Sequence, residues 1–258
     1  MFVGYKLSLE SDSFLEYRNY GNSDFESYKK NVEKELDLFI NEDGDGSISG
    51  SKLQDNWFPE INADIFLSHS HADKEMAIAL AGWLKDTFNL TTFIDSCVWG
   101  YADDLLKKID NKYCKNQGES SYNYDLRNHS TSHVHMMLST ALTKMIDKTE
   151  CVIFLNTPNS IENKDVINQT KSPWIFLELA MTELIRKTKP DRLNKSYYSE
   201  IQETKNMVIK YDVPTEHLYD LNIYDLDSWA EDYSRRYLKE HALDILYKKQ
   251  TLITITNG

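Results

Sequence analysis

The residues that point most directly to chemistry are Ser172-Pro173-Trp174-Ile175-Phe176-Leu177-Glu178, because they place one carboxylate on the apolar face of a helix. Ser172 suits an N-cap, and Pro173 suits the first helical position, where no amide partner is lost. Trp174, Glu178, Met181 and Ile185 then recur at helical spacing, so Glu178 shares its stripe with an aromatic ring and two core-type side chains. A charged group there is costly unless it faces a cleft and has something to bind. The plain alternative is a glutamate at the rim of that stripe, reaching to water.

Other catalytic arrangements find less support. His133 and His135 stand two apart, so on a helix they point about 200° from each other and cannot hold one metal together. No cysteine lies at ligand spacing from them, and no metal site is expected. Neither G-x-G-x-x-G nor G-x-x-x-x-G-K occurs, which argues against a Rossmann or P-loop phosphate site. There is no G-x-S-x-G elbow for a nucleophilic serine. Asn41 to Lys52 imitates a calcium loop, with oxygen side chains at the first, third and fifth positions and Gly46 at the sixth. Its twelfth position is Lys52, where a cation needs two carboxylate oxygens.

The elements that must position Glu178 follow from the hydrophobic pattern. Residues 1 to 60 read as an N-terminal extension of helix and loop, with an amphipathic helix over Phe25–Ile40 and with Trp57-Phe58-Pro59 packing the arm onto the body. From 61 to 258 a main domain is expected. Its apolar runs, Ala63–Ser68, Thr91–Asp95, Cys151–Asn156, Met207–Val213 and Leu221–Leu226, read as strands. They alternate with helical segments at Lys74–Phe88, Val134–Thr149, Pro173–Lys187 and Trp229–Tyr247. That alternation predicts an α/β fold: a flavodoxin-like three-layer sandwich around a five-stranded, mostly parallel sheet, plus the N-terminal helical extension. Two long connections interrupt it, Ser96 to Ser132 (with a short helix over Ala102–Tyr113) and Thr157 to Lys171.

In an open parallel sheet, ligands bind at the carboxyl ends of the strands. Those ends carry Ser68-His69-Ser70-His71, then Asp95-Ser96, then Asn156, and the Ser172 helix starts on the same edge. Glu178 is therefore expected to look into a cleft walled by the first two of these loops.

Composition restricts the partners. A net charge of −12 argues against a general nucleic-acid surface, which needs clustered Lys and Arg. No apolar run approaches a membrane span, and Met1 to Lys6 is too short for a signal peptide. The three cysteines form no CxxC pair and no even framework, which suits a reducing cytoplasm.

With these residues in place, a family resemblance can be stated. Asp64-Ile65-Phe66-Leu67-Ser68-His69-Ser70 with Asp73 resembles the first box of Toll/interleukin-1 receptor (TIR) domains. Phe93-Ile94-Asp95 followed by Trp99-Gly100 resembles the second box and the loop after it. Ser172-Pro173-Trp174 with Glu178 resembles the segment that carries the catalytic glutamate of the NAD-cleaving members. The resemblance covers roughly 62 to 230. It departs from the family in a longer segment from Cys114 to Ser132, and in Leu177, where some enzymatic members have an aromatic residue.

The resemblance implies an enzyme that cleaves the nicotinamide–ribose bond of NAD+, yielding nicotinamide and ADP-ribose or a cyclic variant. It implies Glu178 as the catalytic residue, with Ser68, His69, Asp95, Trp99 and Trp174 binding substrate. NAD+ is then a substrate, and no cofactor is demanded. Similar bacterial proteins serve in antiphage defence of the Thoeris type, which implies a downstream effector that responds to the nucleotide and assembly into homo-oligomers on activation. The alternative is a non-catalytic TIR module that works by protein–protein assembly.

Overall fold

The computed structural model describes residues 1–10, 13–22, 26, 50–116, 118, 120–164, 167–170, 172–190, 192, 211–212, 215–235 and 240–256. The expected helix at 25–40 and the calcium-like loop before Gly50 therefore lie outside the described residues, apart from residue 26.

The fold is α/β, built on a five-stranded, all-parallel sheet. Its strands are β1 (Val3–Leu7), β2 (Ile65–Ser68), β3 (Thr92–Ile94), β4 (Cys151–Leu155) and β8 (Tyr219–Leu221), in the spatial order β3-β2-β4-β1-β8. The helices are α1 (Gly50–Trp57), α2 (Lys74–Phe88), α3 (Ser96–Ile109), α4 (Tyr124–Lys148), α5 (Pro173–Leu184), α6 (Ile223–Ser234) and α7 (Ala242–Thr256).

The period-2 alternation of side chains divides the core into two faces. Tyr5, Leu7, Ile65, Leu67, Ile153 and Leu155 point to one face, against α2, α6 and α7. Phe66, Phe93 and Val152 point to the other, where Leu53 and Trp57 of α1, Leu105 of α3 and Val134, Leu138 and Leu142 of α4 cover them. On that same side Phe154 meets Ile175 and Leu179 of α5. Strands buried on both faces need continuous apolar runs, which is why β2 and β4 were legible in the sequence.

Four expectations need correction. Residues 1 to 60 are not simply an extension of helix and loop: β1 sits inside the sheet, in parallel register with β4 (Tyr5↔Ile153) and with β8 (Tyr5↔Tyr219). Its five residues mix Gly4 and Lys6 among apolar neighbours, and so short a run carries little periodic signal. The arm beyond it is also built in, since a Cβ on Gly82 of α2 would lie 2.2 Å from the Tyr17 carbonyl oxygen, and one on Gly21 would lie 1.9 Å from that of Ile78. The backbones touch because neither residue has a side chain.

The other corrections concern boundaries. The run expected as a strand over 221–226 contains only the last residue of β8, because Asn222 caps α6 in a reciprocal box with Asp225. The single helix expected over 229–247 is two, α6 and α7. Helix α4 starts ten residues earlier than expected, at Tyr124, where the Asn123 side chain accepts from the Leu126 amide.

The Thr157–Lys171 connection carries two antiparallel strands, β5 (Glu162–Lys164) and β6 (Ile167–Thr170), and β6 pairs with β7 (Tyr211–Asp212) in a second, three-stranded sheet. Of the strand expected over 207–213, only β7 falls among the described residues. Trp57 and Phe58 are buried against α4, as the arm's apolar end suggested.

Candidate functional site

Three chain segments converge at the carboxyl edge of the large sheet. Strand β2 ends on Ser68 and delivers His69 directly after it. Strand β3 ends at Ile94, and Asp95 follows as the N-cap of α3, its Oδ1 accepting from the Ser96 amide at 2.7 Å. Helix α5 brings Glu178. Its start is set as the sequence indicates, with Pro173 in the first turn and Ser172 Oγ accepting from the Ile175 amide at 3.3 Å. Strand β6 helps fix that start, because Thr170 Oγ1 accepts from the Ser172 amide at 3.1 Å.

Glu178 is 1 % exposed, so the glutamate does not sit at the rim reaching to water. Ser68 Oγ donates to its Oε2 at 2.6 Å, while Oε1 is buried with no hydrogen-bond partner among the described residues. His69, also buried, sets Nδ1 2.5 Å from Asp95 Oδ1. That contact is a close approach rather than an aligned N–H···O hydrogen bond, and neither ring nitrogen has a hydrogen-bond partner among the described residues.

Burial raises the proton affinity of Glu178 well above that of an ordinary carboxyl. The Asp95 charge raises it further, and the Ser68 hydroxyl opposes this by favouring the anion.

The structure thus brings together Ser68, His69, Asp95 and Glu178, four of the six residues expected at the site. Trp174, one turn before Glu178, is half-buried and packs toward α4, where the His135 ring meets it edge-on at 5.4 Å and 86°. Trp99 falls on the backbone of α3, and its side chain lies outside the described residues. Asn156 donates from Nδ2 to Ser8 Oγ at 3.2 Å.

Sequence reasoning gave no role to a second buried group beside the site. Asp73 accepts from Thr157 Oγ1 at 2.5 Å and from Asn159 Nδ2 at 2.7 Å, so the loop after β2 is tied to the loop after β4. Asp73 stands in the first box of the resemblance, but the Thr and Asn residues after β4 resemble any turn.

All three of His129, His133 and His135 lie within α4, and the two rings that face each other are His129 and His133, 4.6 Å apart, one turn from each other and exposed.

Among the described residues, Glu150, His241 and Asp244 bring possible ligand atoms within 4.8 Å of one another. Arg192 already occupies that cluster. Its Nε donates to Asp244 Oδ1 at 2.8 Å and Oδ2 at 2.9 Å, and its Nη1 and Nη2 donate to Glu150.

Fold and site together define a three-layer α/β protein with a buried, partly unsatisfied carboxylate at the carboxyl edge of its sheet. Compared with known proteins, the chain matches no family model, no curated protein and no solved structure. No helix among the described residues is long and apolar enough to cross a membrane.

Proposed function

We propose that the protein is a TIR-like NAD+ glycohydrolase or cyclase, with Glu178 as its catalytic carboxylate. The observation that carries this reading is the buried Glu178 side chain, held by Ser68 through one oxygen while the other is left without a partner. A structural carboxylate closes all its hydrogen bonds, and an oxygen left over in a dry site is suited to a ligand hydroxyl or a developing positive charge.

The reaction matches what these residues can supply. Nicotinamide leaves a cationic ring as a neutral molecule, so no acid is needed to protonate it. The ribose that remains resembles the oxocarbenium ion of glycoside hydrolysis, and a nearby anion in a water-poor site stabilises it strongly. The ionised form of Glu178 does this work. Water then completes the reaction, or an atom of the same nucleotide does so if water is kept out, giving ADP-ribose or a cyclic product. Assembly into homo-oligomers, a nucleotide-responsive effector and a role in antiphage defence belong to this same proposal.

The decisive experiment incubates concentrated protein with NAD+, follows nicotinamide release and identifies the nucleotide product by mass spectrometry. Release by the wild type and its loss in Glu178→Gln are expected. Equal release by the two proteins removes Glu178 from the mechanism, and release by neither at any concentration favours the assembly module.

A further inference from the structure

We infer that His129 and His133, on the exposed face of α4, form a bidentate site for a divalent transition-metal ion of the zinc class. Two features of the helix create it. Helix α4 begins at Tyr124 rather than near Val134, which draws His129 out of the preceding loop and onto the same helix as His133. Positions four apart share one helical face, and the two rings meet there edge-on with centroids 4.6 Å apart. His135 stands about 200° round the helix from His133. Its ring meets Trp174 instead.

The pair has the properties that a chelate needs. Zinc takes imidazole nitrogens at about 2.0–2.1 Å, so two ligating nitrogens must come within twice that length. Side chains one turn apart on a helix do this by turning about their own bonds. Both histidines are exposed, so an ion reaches them from solvent without crossing the core. The chain's net charge of −12 favours cations near its surface, and Asp125 stands one turn before His129. Imidazole suits Zn2+, Ni2+ and Cu2+, whereas Mg2+ and Ca2+ take oxygen ligands.

The backbone beneath the pair is pinned from its inner side. Asp110 is buried in the π-helical turn Asp110–Cys114 that follows α3. It accepts from Arg127 Nε at 2.8 Å through Oδ2 and from Ser130 Oγ at 2.6 Å through Oδ1. Arg127 and Ser130 flank His129, and the fully buried Val134 follows His133. The turn that carries both imidazoles is therefore fixed before an ion arrives, and binding has little further order to impose.

Two imidazoles fill half of a tetrahedral zinc shell. Among the described residues, only Glu150, His241 and Asp244 gather three possible ligand atoms within 4.8 Å, and Arg192 occupies that group. The α4 pair thus leaves coordination positions for water or another exchangeable ligand, as an accessory site does and a closed structural centre does not. It shares no residue with the Glu178 site, and the inference does not rest on the proposed NAD chemistry.

Equilibrium dialysis of the full-length, untagged protein against Zn2+ tests the site. One histidine-dependent ion per chain is expected. His129→Gln and His133→Gln should each weaken binding by about tenfold or more, because the second imidazole acts at high effective concentration only when both are present. His135→Gln should leave the affinity unchanged, and Mg2+ should not compete. All three side chains are exposed, so the variants are expected to keep the fold, which circular dichroism checks. Should one of them not fold, electron paramagnetic resonance of the wild type with equimolar Cu2+ decides. Two imidazole nitrogens on the ion are expected there, and one or none overturns the inference. Unchanged Zn2+ affinity in the His129→Gln/His133→Gln double variant overturns it too, as does an equal loss in His135→Gln, whether or not the protein releases nicotinamide.

Discussion

The two ends of the same parallel strands hold similar charged residues in opposite states. At the amino edge, Glu150 precedes β4 and Asp244 lies in the first turn of α7. Arg192 spans both carboxylates, and the Tyr247 hydroxyl also donates to Glu150 at 2.9 Å. Every carboxylate oxygen there has a donor. At the carboxyl edge, Glu178 and Asp95 are more deeply buried, and Glu178 Oε1 has no hydrogen-bond partner among the described residues. The first cluster shows how this fold neutralises paired acids when stability is all that is required. The second holds a glutamate out of solvent with one oxygen unsatisfied, an arrangement that costs stability and that the proposed function would explain.

Breaking the carboxyl-edge cluster should produce the largest effect, and on activity. Glu178→Gln is expected to reduce nicotinamide release by about 10²–10³-fold, the usual loss when one preorganised electrostatic group is removed. Its melting temperature should match or exceed that of the wild type, because a strained buried carboxyl has gone. A collapse of the fold, read by circular dichroism, would instead make Glu178 a structural residue like those at the other edge.

Arg192→Ala tests the amino edge. Removing a half-exposed guanidinium that bridges two acids should cost about 1–2 kcal/mol in denaturant unfolding, after allowance for solvent screening. Nicotinamide release below the melting transition should not change. Reduced activity at full folding would show that the two edges communicate.

A smaller effect is expected from Ser172→Ala, which removes the N-cap that starts the site helix. The loss should be about 1 kcal/mol. A matching mild fall in activity would show how tightly the entry of α5 sets the position of Glu178.

The pH dependence of stability gives the finest comparison. Glu178 binds its proton more tightly in the folded chain than in the unfolded one. Its contribution is therefore fully present below the ordinary carboxylate value and is lost as pH rises through its raised folded value. Denaturant melts across that range should show Glu178→Gln gaining on the wild type as pH increases, while wild-type nicotinamide release rises over the same interval. Parallel stability curves for the two proteins would mean that Glu178 is not perturbed.

Much of this arrangement was legible beforehand where local rules agree. The apolar runs of β2 and β4, the Ser172-Pro173 start of α5 and the helical stripe through Glu178 each combine propensity with pattern. Strand β1 escaped because five residues containing Gly4 and Lys6 carry almost no periodic signal; only pairing with β4 and β8 makes them a strand. The start of α4 was placed late because its first turns are polar and offer no apolar stripe to read.

Local spacing and capping were enough to put a carboxylate on the apolar face of a capped helix, and to put Ser68, His69 and Asp95 at the ends of strands. Those features depend on spacing along the chain and on local hydrogen bonds. The packing of the strands alone brings Glu178 to Ser68 across 110 positions of chain, His69 to Asp95, and Arg192 to the opposite edge. Such contacts come from the order in which strands pack, which no local pattern encodes.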